Sequence, residues 1–172
     1  VGDQTVLAQA LAAGTIDATV IEGVYSRWLQ EKGFSILAQF SKVDLPFASL
    51  GVVARKAYID KNPIVIEGVL KAMLEGSAYA LSSKNKPSTL TSLKRRLKVD
   101  DRGAEEGYND MLIGLERKPY PSLVGLRNIQ RLVKLLNPKV GKIAVEELIE
   151  DRFLRALDQS GFIDGLYATY GR

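Results

Sequence analysis

The feature that most constrains this chain is the run Ala10-Leu11-Ala12-Ala13-Gly14-Thr15-Ile16-Asp17-Ala18-Thr19-Val20-Ile21-Glu22-Gly23. Leu7, Ala10 and Leu11 share one helical face, and Gly14 stands where a left-handed C-terminal cap is wanted. Asp17 to Ile21 is too short for a core helix and rich in β-branched residues, so it reads as a buried strand. In open α/β sheets, ligands gather just beyond the carboxyl ends of the strands. Glu22 and Gly23 occupy that place.

The same texture continues for some thirty residues. Asp3 caps a first helix that runs to about Ala13. Val24 to Lys32 reads as a second helix, with Val24, Trp28 and Leu29 toward the core and Gly33 ending it. Phe34 to Phe40 is a second short apolar strand, and after a loop over 41–46, Ala48 to Ala54 is a third, interrupted by Gly51. A glycine inside a strand marks a bulge, a bend or a close approach. Helix, strand, helix, strand implies parallel pairing with helices on the sheet faces.

Beyond Arg55 the chain is nearly all helical. Lys56 to Asp60 makes one turn. Asn62-Pro63 starts a long helix, a capping side chain followed by proline at the first helical position. Its stripe is Ile66, Val69, Leu70, Met73, Ser77 and Leu81. Further helices are expected at Thr89–Leu97 and Arg102–Leu115. Lys118-Pro119-Tyr120-Pro121 is a rigid connector. Ser122 caps a helix with the stripe Leu126, Ile129, Val133 and Leu136, and Asp151 caps another that ends at Gly161. Three strands cannot cover their own edges beside so many helices. Either the protein is mostly helical, or strands from a missing portion complete the sheet, and an opening at Val1 directly into a helix favours the second.

Composition narrows the chemistry. With 46% hydrophobic and 26% charged residues the 172-residue chain can build a sizeable core. No apolar run reaches the roughly 20 residues that span a bilayer. Cysteine and histidine are absent, which removes thiol nucleophiles, disulfides, Ser-His triads and the usual zinc or haem ligands. No cofactor or metal site is expected. The net charge of +4 comes from dispersed cations without interleaved aromatic stacking platforms, so nucleic acid is not an expected partner. Lys94-Arg95-Arg96-x-Lys98 reads as a solvated face. Glu105-Glu106 and Glu146-Glu147 are sequence neighbours that point to different helix faces, so neither pair proposes a catalytic mechanism.

The helix ending Ala10-Leu11-Ala12-Ala13-Gly14 before Ile16-Asp17-Ala18 resembles the ABC-transporter solute-binding proteins of the taurine, nitrate and thiamine-pyrimidine-precursor group. So do Asn62-Pro63 opening a long helix, the Lys118–Pro121 connector, and the closing Asp158-Gln159-Ser160-Gly161-Phe162-Ile163-Asp164-Gly165-Leu166-Tyr167. The resemblance covers the whole chain and corresponds to the C-terminal half of such a protein. It implies an α/β fold, part of a two-lobed periplasmic-binding-protein type II architecture with a helix-rich C-terminal portion. Residues 1–46 would belong to the second lobe, 47–55 would be the crossing strand and hinge, and 56–172 would return to pack on the first lobe.

The implied function is capture of a small organic ligand in an interlobe cleft for ABC permease subunits, without catalysis. The expected location is periplasmic or extracellular, with a lipid anchor possible, a signal peptide in the full-length protein, and the missing N-terminal half as a further partner. Two other classes stay open: an enzyme on the same scaffold, similar to the thiamine-pyrimidine synthases but lacking their histidines here, or the effector-sensing domain of a regulator.

Six residues are the candidate ligand contacts. Glu22 can accept hydrogen bonds from ligand amines or hydroxyls, or simply favour the start of the following helix. Gly23 presents amides at that helix start, and Tyr25 in the first turn can lie over a ligand ring. Phe47, Ser49 and Gly51 lie where the chain would cross between lobes; Ser49 offers a hydroxyl, and Gly51 close approach or hinge torsion.

Overall fold

Local signals settle most helix ends. In the computed structural model, which describes residues 3–39, 43, 45–48 and 50–171 and of Val24 the backbone alone, Asp3 opens α1 (Gln4–Ala12) by accepting the Val6 amide at 3.1 Å. Gly14 has φ 71°, the left-handed value that glycine adopts without a Cβ penalty. Helix α2 (Gly23–Glu31) follows, then α3 (Lys56–Lys61) and α4 (Pro63–Leu81), with proline at the first position of α4. The Asn62 side chain donates backwards to the Tyr58 carbonyl at 2.9 Å and does not cap α4. Helices α5 (Lys86–Leu97), α6 (Asp101–Gly114), α7 (Leu123–Leu136), α8 (Arg152–Gln159) and α9 (Phe162–Tyr170) complete the set. Ser122 caps α7 by accepting the Gly125 amide at 3.0 Å.

The chain divides into two compact units. The first joins residues 1–43 to 85–114, and the second joins 44–84 to 115–172. In the first, α2 packs on α1 and α6, and α5 on α6, around Ala8, Leu29, Thr89, Ala104 and Tyr108. Arg27 reaches the Glu106 carboxylate, which also accepts from Arg102 at 3.2 Å, while Arg102 bonds Glu31 at 2.8 Å. Four alternating charges therefore tie α2 to α6.

In the second unit α4 packs on α8 and α9. Leu74, Ala78, Leu81, Leu154, Leu157, Ile163 and Tyr167 form its core, each large apolar side chain contributing about 1.5–3 kcal/mol on burial. Buried Ser82 is satisfied by donating to the Tyr170 carbonyl at 2.6 Å. The expected α4 stripe is right at Leu70, Ser77 and Leu81 but rotated in the middle. Leu74 and Ala78 are buried, while Val69 and Met73 are 43% and 53% exposed. Trp28, expected in the core of the first unit, is likewise 38% exposed.

The α/β expectation is overturned: the regular secondary structure among the described residues is all helical, with no strand and no sheet. Asp17–Ile21, Phe34–Phe40 and Ala48–Ala54 are not strands in any part that is described; Phe40 and Ser49 lie outside the described residues. Ala18–Ile21 and residues 35–39 make no backbone–backbone hydrogen bond among the described residues. The physical reason is that a strand exists only through its ladder, and a few short segments without three paired neighbours do not form one. Nor are these segments buried: Val20 is 71%, Leu37 86%, Leu50 92% and Val53 93% exposed. With the sheet goes the two-lobed type II architecture and the crossing strand over 47–55.

Candidate functional site

A concavity in the first unit flanks α2. About 740 Å³ of space lies against Leu11, Asp17 to Ile21, Ser26, Leu29, Gln30 and residues 34–38. Gly14 and Gly33, both at positive φ, turn the chain at the ends of α1 and α2, so that each helix is followed by an irregular apolar segment. Both segments line the groove. Its walls are chiefly aliphatic, with hydroxyls from Thr19, Ser26 and Ser35, the Gln30 amide and one charge, Asp17. Among the described residues the backbone groups of 18–21 and 35–38 make no backbone–backbone bond, the Val20 carbonyl accepting only from Thr19 Oγ1 at 3.5 Å, and they add further donors and acceptors. A cavity of this volume, mostly apolar with a few convergent polar groups, suits a small organic molecule.

Of the six sequence-chosen residues, three lie together at the start of α2. Glu22 is its N-terminal flanking residue and is exposed, its amide donating to Gln4 Oε1 at 3.1 Å. It stands at no strand end, so the sheet argument for it falls away. Gly23 opens the helix against α6: a Cβ there would lie 2.7 Å from Asp110 Oδ2. That carboxylate is the far end of an exposed side chain that can swing aside, so the approach does not require glycine, but two acids at this helix start, favourable for the helix itself, oppose an anionic ligand.

Tyr25 faces α1. Its hydroxyl is 2.8 Å from Thr5 Oγ1, and with Thr5, Ala8, Gln9 and Trp28 it borders a smaller cavity of about 230 Å³. Lys32 lies 4.8 Å above the Trp28 ring.

Phe47 and Gly51 belong to the second unit, and Ser49 lies outside the described residues. Phe47 is half exposed. Its carbonyl carbon and the Ala48 amide nitrogen run against α7, where a Cβ on buried Gly125 would meet them at 3.1 and 2.7 Å. Asn128 Nδ2 holds this segment by donating to the Pro46 carbonyl at 2.8 Å. At Gly51 an added Cβ would meet nothing within 4 Å, so no close approach requires glycine there.

The sequence reading passed over the groove residues Leu11, Ser26, Gln30 and 34–38. The signal that could have found them is the repeated order of helix, positive-φ glycine and short apolar segment, which was assigned to a sheet.

The densest charge cluster is structural. Lys118 Nζ lies 2.6 Å from Asp158 and 3.2 Å from Asp164, and Arg117 reaches Asp164 at 3.0 Å. Hydrogen bonds to Asp158 and then Asp164 raise the Lys118 pKa above the ordinary lysine value. The Lys118 bond, followed by one from the Tyr120 hydroxyl at 2.9 Å, holds Asp158 below the usual carboxylate range. Desolvation first and the Asp158 bond second push Tyr120 up. Every charge is met, so the cluster pins the Lys118–Pro121 connector to α8 and α9 and leaves no reactive group. Among the described residues no three acids gather as metal ligands would.

No protein-family model matches this chain, and no curated protein or solved structure is significantly similar to it.

Proposed function

We propose that this chain captures a small organic solute, as the transporter-associated solute-binding proteins that its sequence resembles do, for hand-over to an ABC permease outside the cytoplasm. The observation that carries the reading is the groove beside α2, of about 740 Å³ and lined by aliphatic side chains with one carboxylate. Burial of apolar ligand surface there supplies the affinity. Asp17, Thr19, Ser26 and Gln30 supply orientation. With Asp17 the sole charge, the favoured ligand has an apolar body and a protonated amine or a hydroxyl donor.

The test is a thermal-shift screen of the chain against small amines, alcohols and acids, followed by calorimetric titration of the hits. A ligand at 100 times its Kd adds about 2.7 kcal/mol to stability, a shift well above noise. Ala38→Trp, which fills the groove from an exposed position, should abolish the shift, and Asp17→Asn should weaken amines more than alcohols. If no solute at millimolar concentration stabilises the protein, or if Ala38→Trp binds as well as wild type, the reading is wrong.

A further inference from the structure

Tyr25, Trp28 and Lys32 follow one another at three- and four-residue spacing and share one face of α2. Arg27 and Glu31 turn instead toward α6, and Ser26, Leu29 and Gln30 border the larger groove. Tyr25 and Trp28 wall the smaller cavity of about 230 Å³ against α1. Buried Ala8 forms its floor, and exposed Thr5 and Gln9 its rim. The Tyr25 hydroxyl is hydrogen-bonded to Thr5 Oγ1 at 2.8 Å, so this aromatic wall is held in place before any ligand arrives. A cavity of about 150 Å³ holds a benzene ring. The one beside Trp28 is larger and opens to solvent, which leaves room for a ring and one small substituent.

The charge that touches this cavity's wall is a cation. Helical side chains lean back toward the N-terminus, and Lys32 Nζ accordingly lies 4.8 Å over the Trp28 ring. Lys32 makes no ion pair among the described residues. Helix α1 carries no charged side chain from Gln4 to Ala12, and Glu31 is taken by Arg102. Asp3 and Glu22 stand at the starts of the two helices, where the Glu22 amide meets Gln4. Glu22 flanks the first residue of α2 and Lys32 the last, which separates them by about 15 Å along the helix.

We propose that this cavity is a second ligand site and that it takes a small aromatic carboxylate. The ligand ring packs against the Trp28 and Tyr25 rings over the Ala8 methyl group, and its carboxylate draws the Lys32 ammonium off the Trp28 face. An exposed cation–π contact is weak, and a charge-assisted bond to a carboxylate is stronger, so the exchange favours the anion. A cationic ligand meets the opposite situation, because Lys32 already occupies the ring face and repels a second positive charge. The preference is reversed from that of the larger groove, where Asp17 is the sole charge. The two sites use different faces of α2, and neither reading rests on the other.

Trp28 is the chain's single tryptophan and therefore its own reporter. The experiment is titration of the 172-residue chain with benzoate, benzyl alcohol, benzylamine and acetate at constant ionic strength, following Trp28 emission. Benzoate should change the emission saturably, with a Kd in the low millimolar range or tighter, as befits so small a ligand. Benzylamine should bind at least tenfold more weakly, and acetate should give no saturable change. Lys32→Gln should weaken benzoate threefold or more, the scale of an exposed ion pair, and leave benzyl alcohol as it was. Gln9→Phe, which fills the cavity from its rim, should abolish the benzoate response. Both positions are exposed, and an unchanged circular-dichroism spectrum verifies the fold. An emission change that never saturates with benzoate overturns the proposal, as does benzylamine binding as tight as benzoate. So does wild-type affinity for benzoate in either Lys32→Gln or Gln9→Phe.

Discussion

Replacing Gly125 with alanine tests whether residues 46–48 cross α7 as described. In an exposed helix interior this change stabilises by about 1 kcal/mol, because alanine loses less backbone entropy on folding. At Gly125 the new Cβ would stand 2.7 Å from the Ala48 nitrogen, 3.1 Å from the Phe47 carbonyl carbon and 3.1 Å from Ser122 Oγ. Two of those neighbours are backbone, restrained by the Asn128 bond to Pro46, and the third caps the helix. None yields cheaply, so an overpacking cost of about 1–3 kcal/mol is expected. Gly76 in α4 is the control, because a Cβ there meets nothing within 4 Å. Gly76 lies deep inside α4 and Gly125 in the first turn of α7, so the propensity gain is full at the first and no larger at the second. Urea unfolding followed at 222 nm should place Gly125→Ala about 1–3 kcal/mol below Gly76→Ala. Equal stabilisation by both substitutions would refute the crossing of 46–48 over α7.

Two further outcomes follow from the second unit. Ile163→Ala removes a side chain with no exposed surface and should cost about 2–5 kcal/mol, read as a lowered urea midpoint. Asp158→Asn tests the charge cluster through pH. Because the folded-state pKa of Asp158 lies below its ordinary 3.8, the carboxylate contributes stability that is fully present above 3.8 and is lost as pH falls through the depressed value. The Lys118 pKa is raised above 10.5, so its contribution is present below 10.5 and lost as pH rises through the raised value. Asp158→Asn should therefore flatten the acid limb of a stability–pH curve and leave the slope between pH 5 and 8 unchanged; an acid limb as steep as wild type contradicts the assignment.

What the sequence displayed clearly was written in short-range chemistry. Asp3 and Ser122 accept the amides of Val6 and Gly125 because a cap needs only its own next turn. Gly14, Gly33 and Gly161 adopt positive φ, a property of single residues. Helix phase was less legible. Periodicity says that a stripe is buried, but Leu74 and Ala78 were chosen over Val69 and Met73 by where α8 and α9 lie, and that information is non-local. The groove was legible only as two apolar segments, and their partners were misassigned.

The strands and the α7 stripe fail for one shared reason. Hydrophobic runs such as Ala18-Thr19-Val20-Ile21 and Leu132-Val133-Lys134-Leu135-Leu136 record that a surface is fit to be covered; they do not record by what. A strand reading supplies a neighbouring strand, and a stripe reading supplies a core, yet neither neighbour is encoded in the run itself. Val20 at 71% and Leu136 at 91% exposure show the chain's own packing leaving both runs open. For Ala18–Ile21 the amides, which donate to no backbone carbonyl among the described residues, and the aliphatic walls border a concavity, which suits a small molecule. For Leu132–Leu136 the side chains of Leu132, Leu135 and Leu136 project from one side of α7, away from the face that carries Lys134. Shape and charge, read after folding, separate two runs that hydropathy alone treats as equivalent.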